Sequence, residues 1–233
     1  MAKLSITIMG HPDRSDLIEK IKDKLDDPRV NIALDTENLG CWGNAKRAWE
    51  MADPNSTHHL VIQDDVMPCN NFIEGAEKAL RFNPDKLVSF FSLYKIADKA
   101  EADNHSWFTS NKGWGQALCM PSHWIPHYLE WCKENIQPDY PSCDARFSAF
   151  AMANNLKVWN TNPSLVEHIE PNNSVMGNNP PIDRTARNLI DEDKDPVDID
   201  WEIPLNPHHK SNYLKEYNTN ILKEEFYNER CSN

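Results

Sequence analysis

A chain of 233 residues, 39% of them hydrophobic, is long enough to bury a sizeable core, as one α/β domain or as a domain with an appendage. Its 24 Lys and Arg stand against 36 Asp and Glu, and the net charge of -12 opposes non-specific binding to nucleic acid or to an anionic membrane. No window approaches the roughly 18 apolar residues of a membrane span. The first residues, MAKLSITIMGHP, hold too short an apolar stretch for a secretory signal, and six cysteines without CxxC or regular spacing read as reduced thiols of a cytoplasmic protein.

Along the chain, Leu4 to Met9 predicts a first strand, and Gly10-His11-Pro12 a turn. A helix follows, with Leu17, Ile18, Ile21 and Leu25 on one face and Asp13 or Ser15 as its cap. Val30 to Asp35 predicts a second strand, and about 44–52 a helix. The continuous apolar run Leu60-Val61-Ile62 then predicts a strand buried on both faces. This β-α-β-α-β order predicts a parallel, doubly wound sheet. Further on come a helix over Phe72 to Phe82, a strand over Leu87 to Tyr94, a polar stretch to about Ser110 and the segment GWGQALCMP from Gly113. Helices are expected near Trp124 to Asn135 and Asp144 to Asn154, and a short strand at Lys157 to Trp159. Beyond Gly177 the texture changes to a Pro-, Asn- and Asp-rich arm without a sustained period. A final helix over about 212–229 carries an apolar stripe from Leu214 to Phe226, suited to packing on its own domain or on a twin subunit. The expected domains are therefore a core over 1–177 and an arm with its helix over 178–233.

The buried third strand runs into Gln63, Asp64 and Asp65. Adjacent carboxylates at a strand's carboxyl end lie at the rim where α/β sheets bind ligands, and paired anions there need a cation or donors to compensate them. A solvated turn is the plainer reading of the same two residues. Together with Gly113-Trp114-Gly115, Asp144 in SCDARFSAF and PSLVEH over 163–168, the run from His58 to Cys69 resembles the core motifs of GT-A-fold glycosyltransferases. The likeness is greatest to small glycosyltransferases encoded by bacteriophages, and it spans about residues 4–177.

That resemblance implies a Rossmann-like, doubly wound mixed sheet and a metal-dependent transfer of sugar from a nucleotide-sugar, a UDP-sugar by preference, to an acceptor hydroxyl. It makes Asp65 and His168 the metal ligands; Gln63 stands where the family has its first carboxylate, and the ligand or ribose contact it leaves open falls to Asp64, on the nucleotide side of the site. A carboxylate and imidazole site suits Mn²⁺ better than Mg²⁺, which strongly prefers oxygen ligands. Asp144 takes the place of the general base of an inverting reaction, although an acidic residue in a first helical turn beside Ser142 also suits a cap. Nucleotide contacts fall to His11, Pro12, Asp35 and Arg47, and Trp114 lies in the glycine-containing loop toward donor or acceptor.

The implied acceptors are a hydroxymethylated pyrimidine in phage DNA, reached from the host cytoplasm, or else a virion protein or surface glycan. DNA would require Lys46, Arg47, Arg184, Arg187 and Lys210 to converge on one basic surface. A nucleotidyltransferase is disfavoured because IMGHPDR has only one glycine. A zinc hydrolase at His123 and His127 is disfavoured because no Glu follows His123. A catalytically inactive sugar-nucleotide-binding module is the remaining alternative.

Overall fold

Strand β1, Leu4–Gly10, alternates Leu4, Ile6 and Ile8 toward one apolar cluster with Ser5 and Thr7 on the other face, so the sheet is covered on both sides. A computed structural model describes residues 2–169 and 184–202 and the backbone of His208–His209. After β1 come α1 (Ser15–Leu25), β2 (Val30–Leu34), α2 (Gly40–Glu50), β3 (His58–Gln63), β4 (Val66–Pro68), α3 (Phe72–Phe82) and β5 (Leu87–Ser89). Then follow α4 (Ile96–Ala102), β6 (Trp107–Ser110), β7 (Ala117–Pro121), α5 (Ile125–Asn135), α6 (Cys143–Ala153), β8 (Val158–Thr161), β9 (Val166–His168) and β10 (His208–His209).

Eight strands form one sheet in the order β10, β6, β8, β5, β7, β3, β1, β2. The first three strands pair in parallel, with β1 between β3 and β2. Beyond β3 the sheet becomes mixed, because β7 runs antiparallel to both β3 and β5. This is an α/β, doubly wound, Rossmann-like mixed sheet. Helices α1 and α3 cover one face through Ile18, Ile21, Phe72, Ile73 and Leu80. Helices α2, α5 and α6 cover the other through Trp49, Tyr128, Phe147 and Phe150. Each such fully buried side chain contributes about 1.5–3 kcal/mol.

Strands β4 and β9 form a separate antiparallel ribbon, with Val66 opposite His168 and Pro68 opposite Val166. The Ile169 amide donates to the Asp65 carbonyl at 2.9 Å, and the Leu165 amide to Phe90. Phe90 continues the pairing to Ala117, but the Ser92 amide turns to Ser164 Oγ at 3.1 Å, which ends β5 well before Tyr94.

Residues 184–202 form no helix or strand but lie across the core. Trp201 is buried beside Trp107, whose indole N–H donates to the Trp201 carbonyl at 3.0 Å. Pro196 abuts Gly75 on α3, and Lys78 Nζ donates to the carbonyls of Val197 and Ile199 at 2.7 and 2.9 Å. The expected C-terminal helix over about 212–229, and with it a dimer contact through that helix, lies outside the described residues. Among those residues no helix is long and apolar enough to cross a membrane, and Cys41, Cys69, Cys119, Cys132 and Cys143 are free thiols.

Candidate metal and nucleotide site

The carboxyl ends of β1, β2 and β3 lie side by side, so the residues that follow them meet. Gly10 closes β1 where a Cβ would come within 2.4 Å of Ile18 Cδ1, so α1 packs directly on the strand end. The next residues turn through a 3-10 segment, Pro12–Arg14, in which Pro12 sets the first position and the His11 ring accepts from the Asp13 amide. The His11 amide itself donates to Asp64 Oδ2 at 2.6 Å. Asp35, just past β2, accepts from the Leu39 and Gly40 amides at 2.7 and 3.0 Å and so anchors the start of α2. Asn44 ties the same region together by donating to the carbonyls of Gly10 and Ala33.

Asp64 and Asp65 are both buried, each 6% exposed. One guanidinium nitrogen of Arg14 compensates the pair, lying 2.9 Å from Asp64 Oδ1 and 2.9 Å from Asp65 Oδ2. Burial pushes the Asp64 carboxyl above its usual range against the opposing pull of the His11 amide and Arg14. At Asp65 burial acts in the same direction, but His168 and Arg14 outweigh it and hold the carboxyl below its usual range.

His168 reaches the site from β9. Its Nε2 lies 3.3 Å from Asp65 Oδ2, while Asp65 Oδ1 and both ring nitrogens of His168 are buried without a hydrogen-bond partner among the described residues. Unpaired buried polar atoms are costly, and an oxygen and an imidazole nitrogen about 3 Å apart match the bite of two ligands on a cation at roughly 2.1 Å each. The pair therefore fits a divalent cation. No cluster of three or more His, Cys, Asp or Glu suited to a metal occurs among the described residues, so the remaining ligands would be water and substrate oxygens.

The cleft over Asp64 and Asp65 measures about 240 Å³ and is walled by His11, Arg14, Asp35, Asp64, Asp65 and Arg184, with Cys41, Asn44 and Gln63; His168 lies behind Asp65 and is not one of its walls. A larger hollow, about 1110 Å³, lies at the other end of β3 between Pro84, Pro121 and Pro126, away from the acidic pair. Of the expected nucleotide contacts, His11, Asp35 and Asp64 line the cleft; Pro12, Arg47 and Trp114 do not. Arg47 is engaged by the Leu34 carbonyl at 3.0 Å and by Glu37 at 2.7 Å. The Trp114 ring carries Lys112 Nζ at 4.0 Å from its centroid, and its indole N–H has no hydrogen-bond partner among the described residues.

Asp144 stands in the first turn of α6, where Oδ1 accepts from Ser142 and from the Ala145 amide at 2.9 Å. Asp144 itself is not among the residues that wall the cleft; its neighbour Cys143 meets Gln63, which is. A Cβ on Gly115 would meet Gln63 Nε2 at 2.7 Å, and one on Gly113 would meet Leu118 and Phe147, so these two glycines admit neighbouring side chains of the protein itself. Gln63 points its amide at Cys143 Sγ, 3.7 Å away.

Sequence reasoning passed over Arg14 and Asn44 for this site. The available signal was position alone: each lies in the turn or first helical turns next to a strand end.

No protein-family model and no curated protein matches the chain. Among solved structures, two of a Drosophila β1,4-galactosyltransferase 7 are similar to it. A mutant in complex with manganese, UDP-Gal and xylobiose has a TM-score of 0.43 at 10% identity, over 74% of this chain and 72% of that one. The catalytic domain in complex with xylobiose has a TM-score of 0.42 at 10% identity, over 86% and 81%.

Proposed function

We propose that this protein is a metal-dependent glycosyltransferase of GT-A type, moving a sugar from a UDP-sugar to an acceptor hydroxyl with inversion. The observation that carries the reading is the Asp65 and His168 pair, with its orphaned oxygen and nitrogen, at the end of a buried strand beside a cleft. Asp65 and His168 would hold Mn²⁺, or Mg²⁺ with weaker preference. The bound ion supplies Lewis-acid stabilisation of the departing diphosphate. Asp35 and His11 lie where a nucleoside would rest across the strand ends, and Arg184 offers a guanidinium to phosphate. Asp144 would accept the proton of the acceptor hydroxyl as that oxygen attacks the anomeric carbon.

The acceptor reading shifts toward an uncharged hydroxyl on a glycan or protein. Of the cations that a DNA surface would need, Lys46 is paired with Glu50, Arg47 with Glu37 and Arg187 with Asp98. Arg184 lines the cleft, and Lys210 lies outside the described residues. Incubation with a panel of sugar nucleotides and Mn²⁺, offered glycan, protein and 5-hydroxymethylcytosine DNA acceptors, tests the reading by product mass. Turnover that needs Mn²⁺ and vanishes with EDTA is expected. Full activity in EDTA sinks the metal site, and a sugar adduct on the modified base alone restores DNA as the acceptor.

A further inference from the structure

Arg14 presents a conflict within the proposed site. Its Nη1 bonds Asp65 Oδ2, the same oxygen that faces His168 Nε2 at 3.3 Å, and its side chain is only 10% exposed. A divalent ion held by Asp65 and His168, through either carboxylate oxygen, comes within a few ångströms of this guanidinium, and two cations that close repel strongly in a buried setting. The ion and Arg14 therefore compete for one carboxylate. The cleft points the same way: at about 240 Å³ it is smaller than the roughly 300 Å³ at which small-molecule sites begin, and Arg14 is one of its walls. Arg14 also belongs to the β1–α1 turn, just ahead of the helix that starts at Ser15, the place where doubly wound sheets receive phosphates.

We propose that Arg14 is an exchangeable ligand. It neutralises Asp64 and Asp65 while no metal is bound; when a divalent cation takes its place, the guanidinium leaves the carboxylates, widens the cleft and grips the phosphate oxygens of a nucleoside diphosphate. The inference rests on the reading of this site as a metal and nucleotide-sugar site. Because metal and diphosphate both favour the released position of Arg14, each raises the affinity of the other.

Calorimetric titration of Mn²⁺, alone and with UDP present, into the full chain and into Arg14→Gln and Arg14→Lys tests it, with correction for the Mn²⁺–UDP complex formed in solution. In the unaltered protein UDP is expected to tighten Mn²⁺ about tenfold or more, within the usual range of coupling between sites. Arg14→Gln, which removes the competing charge, should bind Mn²⁺ alone about tenfold more tightly and lose most of the coupling. Arg14→Lys, with a charge but no fork, should fall between them. A guanidinium that stayed in place would also weaken Mn²⁺ by repulsion, so the loss of the UDP coupling in Arg14→Gln is what separates exchange from a fixed charge. A folded Arg14→Gln whose Mn²⁺ affinity is equal or lower overturns the exchange while leaving the metal reading standing. Absence of Mn²⁺ binding in all three proteins overturns the metal reading itself. Should Arg14→Gln fail to fold, the unaltered protein decides, because Mn²⁺ affinity indifferent to UDP also refutes the exchange.

Discussion

Asp65 carries both an expected chemical role and a share of the fold's internal charge balance. A rim position would let it be replaced freely, but it is buried and bonded to Arg14. Asp65→Ala is therefore expected to abolish transfer and also to cost about 1–3 kcal/mol, the scale for losing a buried charged partner while Asp64 still holds Arg14. Asp65→Asn separates the two, keeping most of the stability while losing Mn²⁺-dependent stabilisation in thermal unfolding. Asp144→Asn should lower kcat by about 10²–10⁴ with little change in donor KM, because Asn can still accept from the Ala145 amide and keep the helix start intact. An unchanged kcat would leave Asp144 as a cap only.

His59 gives a pH dependence that is independent of the site. It is fully buried, with Nε2 on the Ala48 carbonyl and Nδ1 on Ser5 Oγ at 2.7 Å, and burial pushes its pKa down to about 4. The unfolded chain takes up a proton near pH 6.5 and the folded one only near pH 4, so stability is full above about 6.5 and falls as pH drops through that window. The loss reaches roughly 3 kcal/mol at most. Denaturant titrations from pH 7 to 4 should show this slope, and His59→Gln should flatten it.

At the scale of elements, α3 tests how the later segment is held. Gly75→Ala would ordinarily favour a helix by about 1 kcal/mol, yet a Cβ there falls 2.4 Å from Pro196 Cβ, so a net loss of about 1–2 kcal/mol is expected. A rise in melting temperature would show that Pro196 yields easily. Helices with a strong apolar face were legible in the sequence: α3 matches Phe72 to Phe82, and Ile18, Ile21 and Leu25 of α1 point inward as expected. The start of α2 moves from about residue 44 to Gly40, because its first amides are satisfied by Asp35 rather than by an adjacent cap. Strands β4, β6 and β9 have three or four residues each and no alternation to reveal them. They exist through partners far away in sequence, and the polar stretch before β6 hides α4, whose Ala97 and Ala100 are small enough to bury without an apolar signal. The same distance effect governs the site. Asp64, Asp65 and His168 could be proposed from motifs, whereas Arg14 acquires its meaning only from carboxylates 50 residues onward, across the sheet.

For the whole molecule, the net charge of -12 and the pairing of Lys46, Arg47 and Arg187 predict negligible retention on unmodified duplex DNA at about 0.15 M salt. Tight binding with a steep salt slope would contradict this. Trp201 shows how late residues complete the early core. Trp201→Ala should cost about 3–5 kcal/mol, as for other large buried aromatics. Its place has a further meaning for a chain emerging from a ribosome. Trp107 waits 94 residues for the carbonyl and ring that cover it, which at ordinary elongation speeds is about 5–20 s. During that interval the indole of Trp107, met only by Trp159 on its edge, stays incompletely covered, so chaperone occupancy on translating ribosomes should persist until residue 201 has cleared the exit tunnel, and a stalled chain ending before it should remain protease-sensitive around β6.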